Sequence, residues 1–231
     1  MCLLCGSSIE CHVSNLYADK SETTSPTVST DALMVTNIVD AHESRDIATA
    51  DIAKAYLKAD MDDFVIIRFM GESVRILCEL NPEHERFIAI ENRSEVLYAH
   101  LDKALYGCMK SALLWYNLFT KNLKDKGFVL NPYDQCVANC MIGGKQCTIA
   151  WYVDDVKISH ADPEVVSMII RRLEERFDTM MVTRGREHVF LGMNIRYTDE
   201  KGDHNNERLP EGSNREESKK LCPPQLIVEI F

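Results

Sequence analysis

The apolar positions of this chain follow helical spacing in three segments, and each segment carries end signals. The first runs from about residue 31 to 44, with Ser29, Thr30 or Asp31 available as the N-cap. The second covers residues 113–126 and is followed by Gly127, the residue type that favours a helix C-terminus. The third opens at Asp162-Pro163, and its apolar stripe consists of Val165, Val166, Ile169, Leu173 and Phe177.

Strand-like runs lie between these helices. Four runs are rich in β-branched and apolar residues: residues 47–52, 64–69, 74–80 and 190–197. Gly143-Gly144 separates two further runs, at residues 136–142 and 147–153, and this is typical of a β-hairpin. The resulting order of helix, strands, helix, hairpin, helix and strand predicts an α+β fold, an antiparallel sheet backed by helices.

The two ends of the chain lack this periodicity. Residues 1–24 are predicted to be a loop or disordered segment, and residues 199–231 a polar, disordered tail. Residues 25–198 therefore form the predicted domain. The apolar runs are far shorter than the roughly 20 residues of a membrane-spanning helix, so we expect a soluble intracellular protein with no membrane partner.

Charge and cysteine content narrow the class of protein. A formal net charge of −10 disfavours a general nucleic-acid coat protein, which would be basic. It leaves open an enzyme whose catalytic cleft is acidic. The nine cysteines follow no even framework, which indicates thiols in a reducing compartment.

Two neighbouring carboxylates, Asp154 and Asp155, interrupt an apolar stretch of the chain, and Asp51 ends another. Carboxylates in such places are unfavourable unless they are solvated, hydrogen-bonded or bound to a cation. At a tight turn both members of the pair could reach one side of the sheet, and Mg²⁺ would relieve their repulsion from Asp51. Solvated turn residues and a helix N-cap are the alternative interpretation, and periodicity alone leaves both open.

Several short motifs together resemble one family. Tyr152-Val153-Asp154-Asp155 resembles the YVDD signature of reverse transcriptases. It stands in order with SPTVSTDAL (residues 25–33), DIAKAYLKADM (51–61), LYGCMKSALLWY (105–116) and FLGMNI (190–195). The set resembles the reverse transcriptase domain of copia-type retrotransposons, and the resemblance covers residues 25–198.

This resemblance implies a right-hand polymerase palm with partial fingers and with the thumb missing. The implied activity is that of an RNA-directed DNA polymerase, which adds deoxynucleotides to a primer 3′-hydroxyl by two-metal phosphoryl transfer. Asp51 and Asp154 would bind two Mg²⁺ ions, for which Mn²⁺ can substitute, with Asp155 as the neighbouring carboxylate. The backbone carbonyl of Ile52 would also face a metal.

Further residues take binding roles by the same resemblance. Tyr56 would lie under the sugar of the incoming nucleotide as a gate against a 2′-hydroxyl. Tyr106, Gly107 and Lys110 would contact the nucleotide and the template. The primer 3′ end would rest on a hairpin formed by Phe190, Leu191, Gly192 and Met193.

The implied partners are an RNA or DNA primer–template, deoxynucleoside triphosphates, and the integrase and ribonuclease H of a Gag-Pol-like polyprotein. The implied location is a cytoplasmic virus-like particle. Each of these expectations concerns the whole retrotransposon product from which such a domain derives.

The chain also departs from the family pattern. Residues 1–24 hold a single lysine, Lys20, and no arginine, where relatives carry a basic fingers segment. Lys110-Ser111-Ala112 stands where many relatives have Gln-Ala-Pro, and a polar segment follows Thr198 in place of the thumb and ribonuclease H domain. The alternative hypothesis is therefore a catalytically silent relic of a truncated polyprotein, which retains at most nucleic-acid or protein binding.

Overall fold

The computed structural model describes residues 9–12, 24–198 and 225–230, the first and last of these stretches by their backbone only. The chain divides into two compact units. The six-strand unit comprises the described residues of Thr27–Ala53 and Gly127–Phe231, and the four-strand unit those of Met1–Pro26 and Lys54–Lys126. Within the described part of the chain, no helix has the length and apolar character needed to cross a membrane.

The regular elements follow the mixed order predicted from the sequence. The helices are α1 (Thr30–His42), α2 (Glu72–Leu80), α3 (Ser111–Asp125) and α4 (Pro163–Phe177). The strands are β1 (Ile9–His12), β2 (Asp46–Asp51), β3 (Ile66–Met70), β4 (Ala89–Glu91), β5 (Ser94–His100), β6 (Val129–Leu130), β7 (Val137–Ile142), β8 (Lys145–Tyr152), β9 (Asp155–His160), β10 (Met181–Arg184), β11 (Glu187–Phe190), β12 (Met193–Thr198) and β13 (Gln225–Ile230).

The six-strand unit is built on one antiparallel sheet with the strand order β10-β2-β9-β8-β7-β6. Side chains alternate between the faces of a strand, so the sheet has two chemically different sides. One side carries the fully buried residues Ala48, Val156, Ile158 and Ile149. Helix α4 contacts β2 and β9 and covers this apolar side.

Helix α4 begins where the sequence predicts. The side chain of Asp162 accepts a hydrogen bond of 2.9 Å from the backbone N–H of Glu164, and Pro163 occupies the first helical position. The predicted inward stripe is correct at Val166, Ile169, Leu173 and Phe177, all of which are buried. It is wrong at one position, since Ile170 is buried and Val165 is only half-buried.

The opposite side of this sheet holds a buried polar network. The ammonium of Lys157, on β9, lies 2.5 Å from Asp40 Oδ2 and donates a 2.5 Å hydrogen bond to Asn37 Oδ1. Asp40 and Asn37 belong to α1, and both are buried. Arg45 Nη1 lies 3.6 Å from Asp40 Oδ1 and 2.9 Å from Thr148 Oγ1, so two cations share this carboxylate. Burial lowers the pKa of Lys157, and its attraction to Asp40 opposes that shift.

A second sheet in this unit has the order β11-β12-β13. The sequence predicts a single strand over residues 190–197, and this is wrong, because a two-residue turn divides it. Leu191 and Gly192 take φ values of +52° and +73°, so Phe190 pairs directly with Met193. Positive φ at both turn positions is the pattern of a type I′ hairpin turn, and Gly192 adopts it without strain.

The four-strand unit contains an antiparallel sheet with the order β1-β3-β5-β4. Residues 74–80, predicted as a strand, form most of α2 instead. Their apolar residues fit a period of two as well as a helical period, so the apolar pattern alone does not distinguish the two structures. Glu72 and Arg75 pair at 3.2 Å across one helical turn, and Val74 is the buried residue of the helix.

Helix α3 confirms the prediction over residues 113–126. Its inner side buries Trp115, Phe119 and Leu123, and the rings of Trp115 and Phe119 are 5.4 Å apart. Gly127 follows the C-cap with φ +87°, a conformation that residues with a Cβ rarely adopt. Gly127 therefore ends the helix as predicted, because its backbone can adopt this left-handed conformation.

Two strands lie in the ends that the sequence predicts to be irregular. Strand β1 pairs with β3, and β13 pairs with β12. The remaining residues of the predicted N-terminal loop and polar tail lie outside the described residues. The α+β class is confirmed, with antiparallel sheets and helices packed against them.

We predict that Asp40→Asn destabilises the protein by roughly 3–5 kcal/mol, because the buried ammonium of Lys157 loses its counter-ion. Urea unfolding followed by circular dichroism measures this difference. Glu72→Gln is the matched control, since it removes one carboxylate from an exposed pair on α2 and should change stability by less than about 0.5 kcal/mol.

Replacing both partners, Lys157→Met with Asp40→Leu, should destabilise the protein less than the two single replacements added together, because neither member of this pair is then buried without the other, while Arg45 keeps its 2.9 Å pair with Glu43. Strictly additive losses would show that the two charges do not stabilise each other.

Candidate active site

Strands β2 and β9 bring Asp51 and Asp155 directly opposite each other. The N–H of Ile52 donates a 3.0 Å hydrogen bond to the carbonyl of Asp154, so positions 52 and 154 form a hydrogen-bonded pair. Such pairs alternate with non-hydrogen-bonded pairs, in which the Cα atoms are only about 4.5 Å apart. Asp51 and Asp155 form a pair of this closer kind, and their side chains leave the same side of the sheet.

Asp154 lies in the turn that joins β8 to β9. Tyr152 pairs with Asp155, so Val153 and Asp154 make a two-residue hairpin loop. Val153 has φ +56°, whereas Asp154 is not among the residues with positive φ. Positive φ at the first loop position alone is the pattern of a type II′ turn, which favours glycine there. A β-branched residue in this conformation is strained, and such strain is concentrated at functional sites.

The carboxylates of this hairpin influence one another. Burial raises the pKa of Asp155, and the negative charges of Asp154 and Asp51 raise it further. Asp154 and Asp155 are half-buried, while Asp51 is exposed. Three acidic groups therefore lie at one end of the sheet, close enough for their charges to repel.

The donor chemistry of these groups fits a divalent cation. Hard carboxylate oxygens suit Mg²⁺, and a cation would neutralise the repulsion that raises the pKa of Asp155. Among the side chains of residues 24–198, no three acidic, histidine or cysteine groups are already gathered around one point suitable for a metal. Repulsion between uncompensated carboxylates is a physical reason for that separation. The role of Asp51, Asp154 and Asp155 as metal ligands stays a prediction.

The buried polar network around Lys157 lies next to these three carboxylates, on the same two strands. Lys157 is two residues beyond Asp155 on β9, and its cross-strand partner Thr49 is two residues before Asp51 on β2. All four side chains therefore share one side of the sheet. Lys157 was not predicted from the sequence, although a lysine between the apolar residues Val156 and Ile158 indicates a buried charge with a partner.

The residues predicted to contact the nucleotide belong to the four-strand unit. The rings of Tyr56 and Tyr106 are stacked with their centroids 4.2 Å apart and their planes tilted by 35°. Gly107, the next residue, has φ +98°, which only glycine adopts readily. The structure thus brings Tyr56, the predicted sugar gate, against residues 105–111, the predicted nucleotide-contact loop.

One side chain closes that loop. Ser111 Oγ accepts a 3.0 Å hydrogen bond from the N–H of Leu105 and donates a 2.7 Å bond to its carbonyl. Lys110 precedes this serine, and its ammonium lies 2.7 Å from Asp63 Oδ2. The sequence analysis did not identify Asp63, because its distance of 47 positions from Lys110 gives no periodic signal.

The predicted primer-contact residues form the β11–β12 turn in the six-strand unit. Phe190 and Met193 are buried, with 2% and 6% of their surfaces exposed. Leu191 and Gly192 form the tip between them. The outer surface of this hairpin turn is therefore its backbone and the two tip residues, and its binding role stays a prediction.

Comparison with known proteins identifies the family. The family described as "Reverse transcriptase (RNA-dependent DNA polymerase)" matches residues 11–202, which is most of the chain. The strand pair with its acidic hairpin lies within this match. The chain therefore belongs to the reverse transcriptase family, as its copia-type motifs predict.

A curated relative is the "Retrovirus-related Pol polyprotein from transposon RE1" of Arabidopsis thaliana, which is 25% identical over 175 residues. The match covers 76% of this chain and 11% of the relative, so the chain spans about a tenth of that polyprotein. A solved apo telomerase from Candida tropicalis, truncated from its C-terminal domain, covers 74% of this chain and 39% of its own, with a TM-score of 0.40 and 10% identity.

The raised pKa of Asp155 predicts a pH dependence of stability. The folded protein holds this proton more tightly than the unfolded chain does. The free energy of unfolding therefore falls as pH rises from the usual aspartate pKa through the raised one. Asp155→Asn should stabilise the protein at pH 7 by a few tenths of a kcal/mol after solvent screening, and the gain should vanish at strongly acidic pH.

Urea midpoints measured across pH test this expectation, with Asp162→Asn as the control because asparagine is an equally good N-cap. An Asp155→Asn variant that is no more stable than the original protein at pH 7 would contradict it.

We predict that Val153→Gly stabilises the β8–β9 hairpin. Left-handed backbone costs a residue with a Cβ about 1–2 kcal/mol, and the greater freedom of unfolded glycine offsets part of the gain. A net stabilisation of about 0.5 kcal/mol in thermal or urea unfolding is expected. Val182→Gly, on the exposed edge strand β10, should instead destabilise; an equal loss from both variants would argue against strain at Val153.

Proposed function

We propose that this chain is the catalytic domain of an RNA-directed DNA polymerase, which joins a deoxynucleotide to the 3′-hydroxyl of a primer. The observation that carries the proposal is the closest type of cross-strand pairing between Asp51 and Asp155, with Asp154 in the adjoining turn. The family and the Pol polyprotein relative support the same activity.

Asp51 and Asp154, from two different strand ends, would hold the metal ions, and Asp155 would complete the acidic site. Two bound Mg²⁺ ions supply an activated primer hydroxyl and charge stabilisation for the transferred phosphoryl group and the leaving pyrophosphate. The protein contributes placement. The bond from Ile52 to Asp154 fixes the spacing of the two strand ends, and the strained turn at Val153 directs Asp154 out of the strand's alternation.

In this proposal the β11–β12 hairpin positions the primer, and the Tyr56–Tyr106 pair positions the nucleotide. Tyr56, stacked on Tyr106, would present a rigid edge to the sugar, and a rigid edge discriminates better against an added 2′-hydroxyl than a mobile one. Gly107 would let the loop backbone approach the base. The Leu191-Gly192 tip would support the primer end.

The test is extension of a DNA primer on an RNA template with Mg²⁺ or Mn²⁺. We expect Asp51→Asn and Asp154→Asn each to reduce extension on the order of a thousandfold or more, because metal binding supplies several kcal/mol of transition-state stabilisation. Circular dichroism should show an unchanged fold, since both side chains lie where the strands end and outside the buried core.

Asp162→Asn is the matched control, at the other end of the β9 hairpin, and should retain extension. Unchanged extension by Asp154→Asn would refute the assignment of the site. A folded protein that extends no primer with either metal would favour the silent relic.

A further inference from the structure

The one lysine of the nucleotide-contact loop is already engaged by two carboxylates. Lys110 Nζ lies 2.7 Å from Asp63 Oδ2 and 3.8 Å from Asp62 Oδ1. The side chains of Lys110, Asp63 and Asp62 are 22%, 30% and 56% exposed. This ion pair is therefore accessible to solvent and to ions, and it is of the weak kind that another anion can replace.

The position of Lys110 in the fold favours a negative charge beside it. Lys110 is the N-cap residue of α3, at the positive end of the helix dipole, and the first turn of that helix contains no acidic residue. A cation is disfavoured there unless an anion lies beside it. Asp63 and Asp62 meet this need from a distant part of the chain, and together they supply more negative charge than one ammonium neutralises.

Backbone hydrogen bonds hold these carboxylates near the loop. The N–H of Met61 donates to the carbonyl of Asp102 at 3.0 Å, and that of Ala104 donates to the carbonyl of Ala59 at 2.9 Å. Asp60, in the same segment, forms an ion pair with Lys103. The approach of Asp62 and Asp63 to Lys110 is thus fixed by main-chain geometry and does not depend on the ion pair alone.

We propose that Asp63, assisted by Asp62, competes with the triphosphate of an incoming nucleotide for Lys110. The triphosphate would displace the two carboxylates from the ammonium when it binds. The inference rests on the proposed function, which places Lys110 at the nucleotide. Phosphate oxygens accept hydrogen bonds from an ammonium as carboxylate oxygens do, and lysine binds phosphate as a point charge. A triphosphate carries more charge than either aspartate, so it can replace them, whereas ligands with fewer phosphates compete less well.

The competitor makes the affinity of this site depend on the number of phosphates. Each carboxylate both engages Lys110 and repels an approaching polyanion. Removing one should therefore strengthen triphosphate binding, the opposite of what is expected when an ion pair only stabilises a loop. The sign of the change separates the two roles.

Calorimetric titration of the full chain with inorganic tripolyphosphate, at low salt and without metal, primer or template, tests the proposal. Asp63→Asn should bind tripolyphosphate roughly three- to tenfold more tightly than the unchanged chain, and Asp62→Asn should gain less because its oxygen is farther from the ammonium. Asp60→Asn is the matched control, since it makes the same charge change in the same segment.

Lys110→Gln should lose binding, and Asp63→Asn should bring no gain in that background. The proposal is overturned if Asp63→Asn binds no more tightly than Asp60→Asn, or if its gain persists without Lys110. Asp63→Ser repeats the neutralisation with another side chain, so a folding defect of one variant leaves the test decisive. Primer extension plays no part in this measurement, so failure of the proposed polymerase activity and failure of this inference are observed separately.

Discussion

The register between β2 and β9 is the constraint on which the candidate site depends. Asp51 and Asp155 lie 104 positions apart in the chain, yet one antiparallel pairing places them opposite each other in its closest type of pair. A shift of that register by one residue would send one carboxylate to the apolar side, against α4. The burial of Ala48, Val156 and Ile158 on that side therefore fixes where the acidic groups emerge.

The same sheet tolerates an unusual amount of buried charge on its other side. Lys157 and Arg45 share the carboxylate of Asp40, and Asn37 accepts hydrogen bonds from both Lys157 and the Tyr197 hydroxyl. Loss of one partner of such a pair would leave a charge buried and unpaired. In this protein the network ties α1 to β9 two residues from Asp155, which suits a site that needs fixed strands.

Each unit contains charged side chains that are unfavourable without a group of opposite charge beside them. At the acidic end of the β2–β9 pair, burial and then the negative charges of Asp154 and Asp51 raise the pKa of Asp155. At the start of α3, Lys110 meets the positive end of the helix dipole and is compensated by Asp63. A divalent cation is the ligand proposed for the first place, and a polyphosphate the ligand proposed for the second.

The sequence by itself determined the helices α1, α3 and α4 and the β7–β8 hairpin, because caps, glycines and apolar periods are local signals. The acidic hairpin was predicted from the resemblance of its motif, since periodicity left both interpretations of Asp154 and Asp155 open. Its apolar pattern was wrong at residues 74–80, predicted as a strand where the structure has most of α2. The same pattern predicted one strand over residues 190–197, where only the resemblance indicated a hairpin. Tertiary structure alone decided that Lys157 meets Asp40 and that Lys110 meets Asp63. Such partners are set by packing across the fold, and the spacing of residues along the chain carries no record of it.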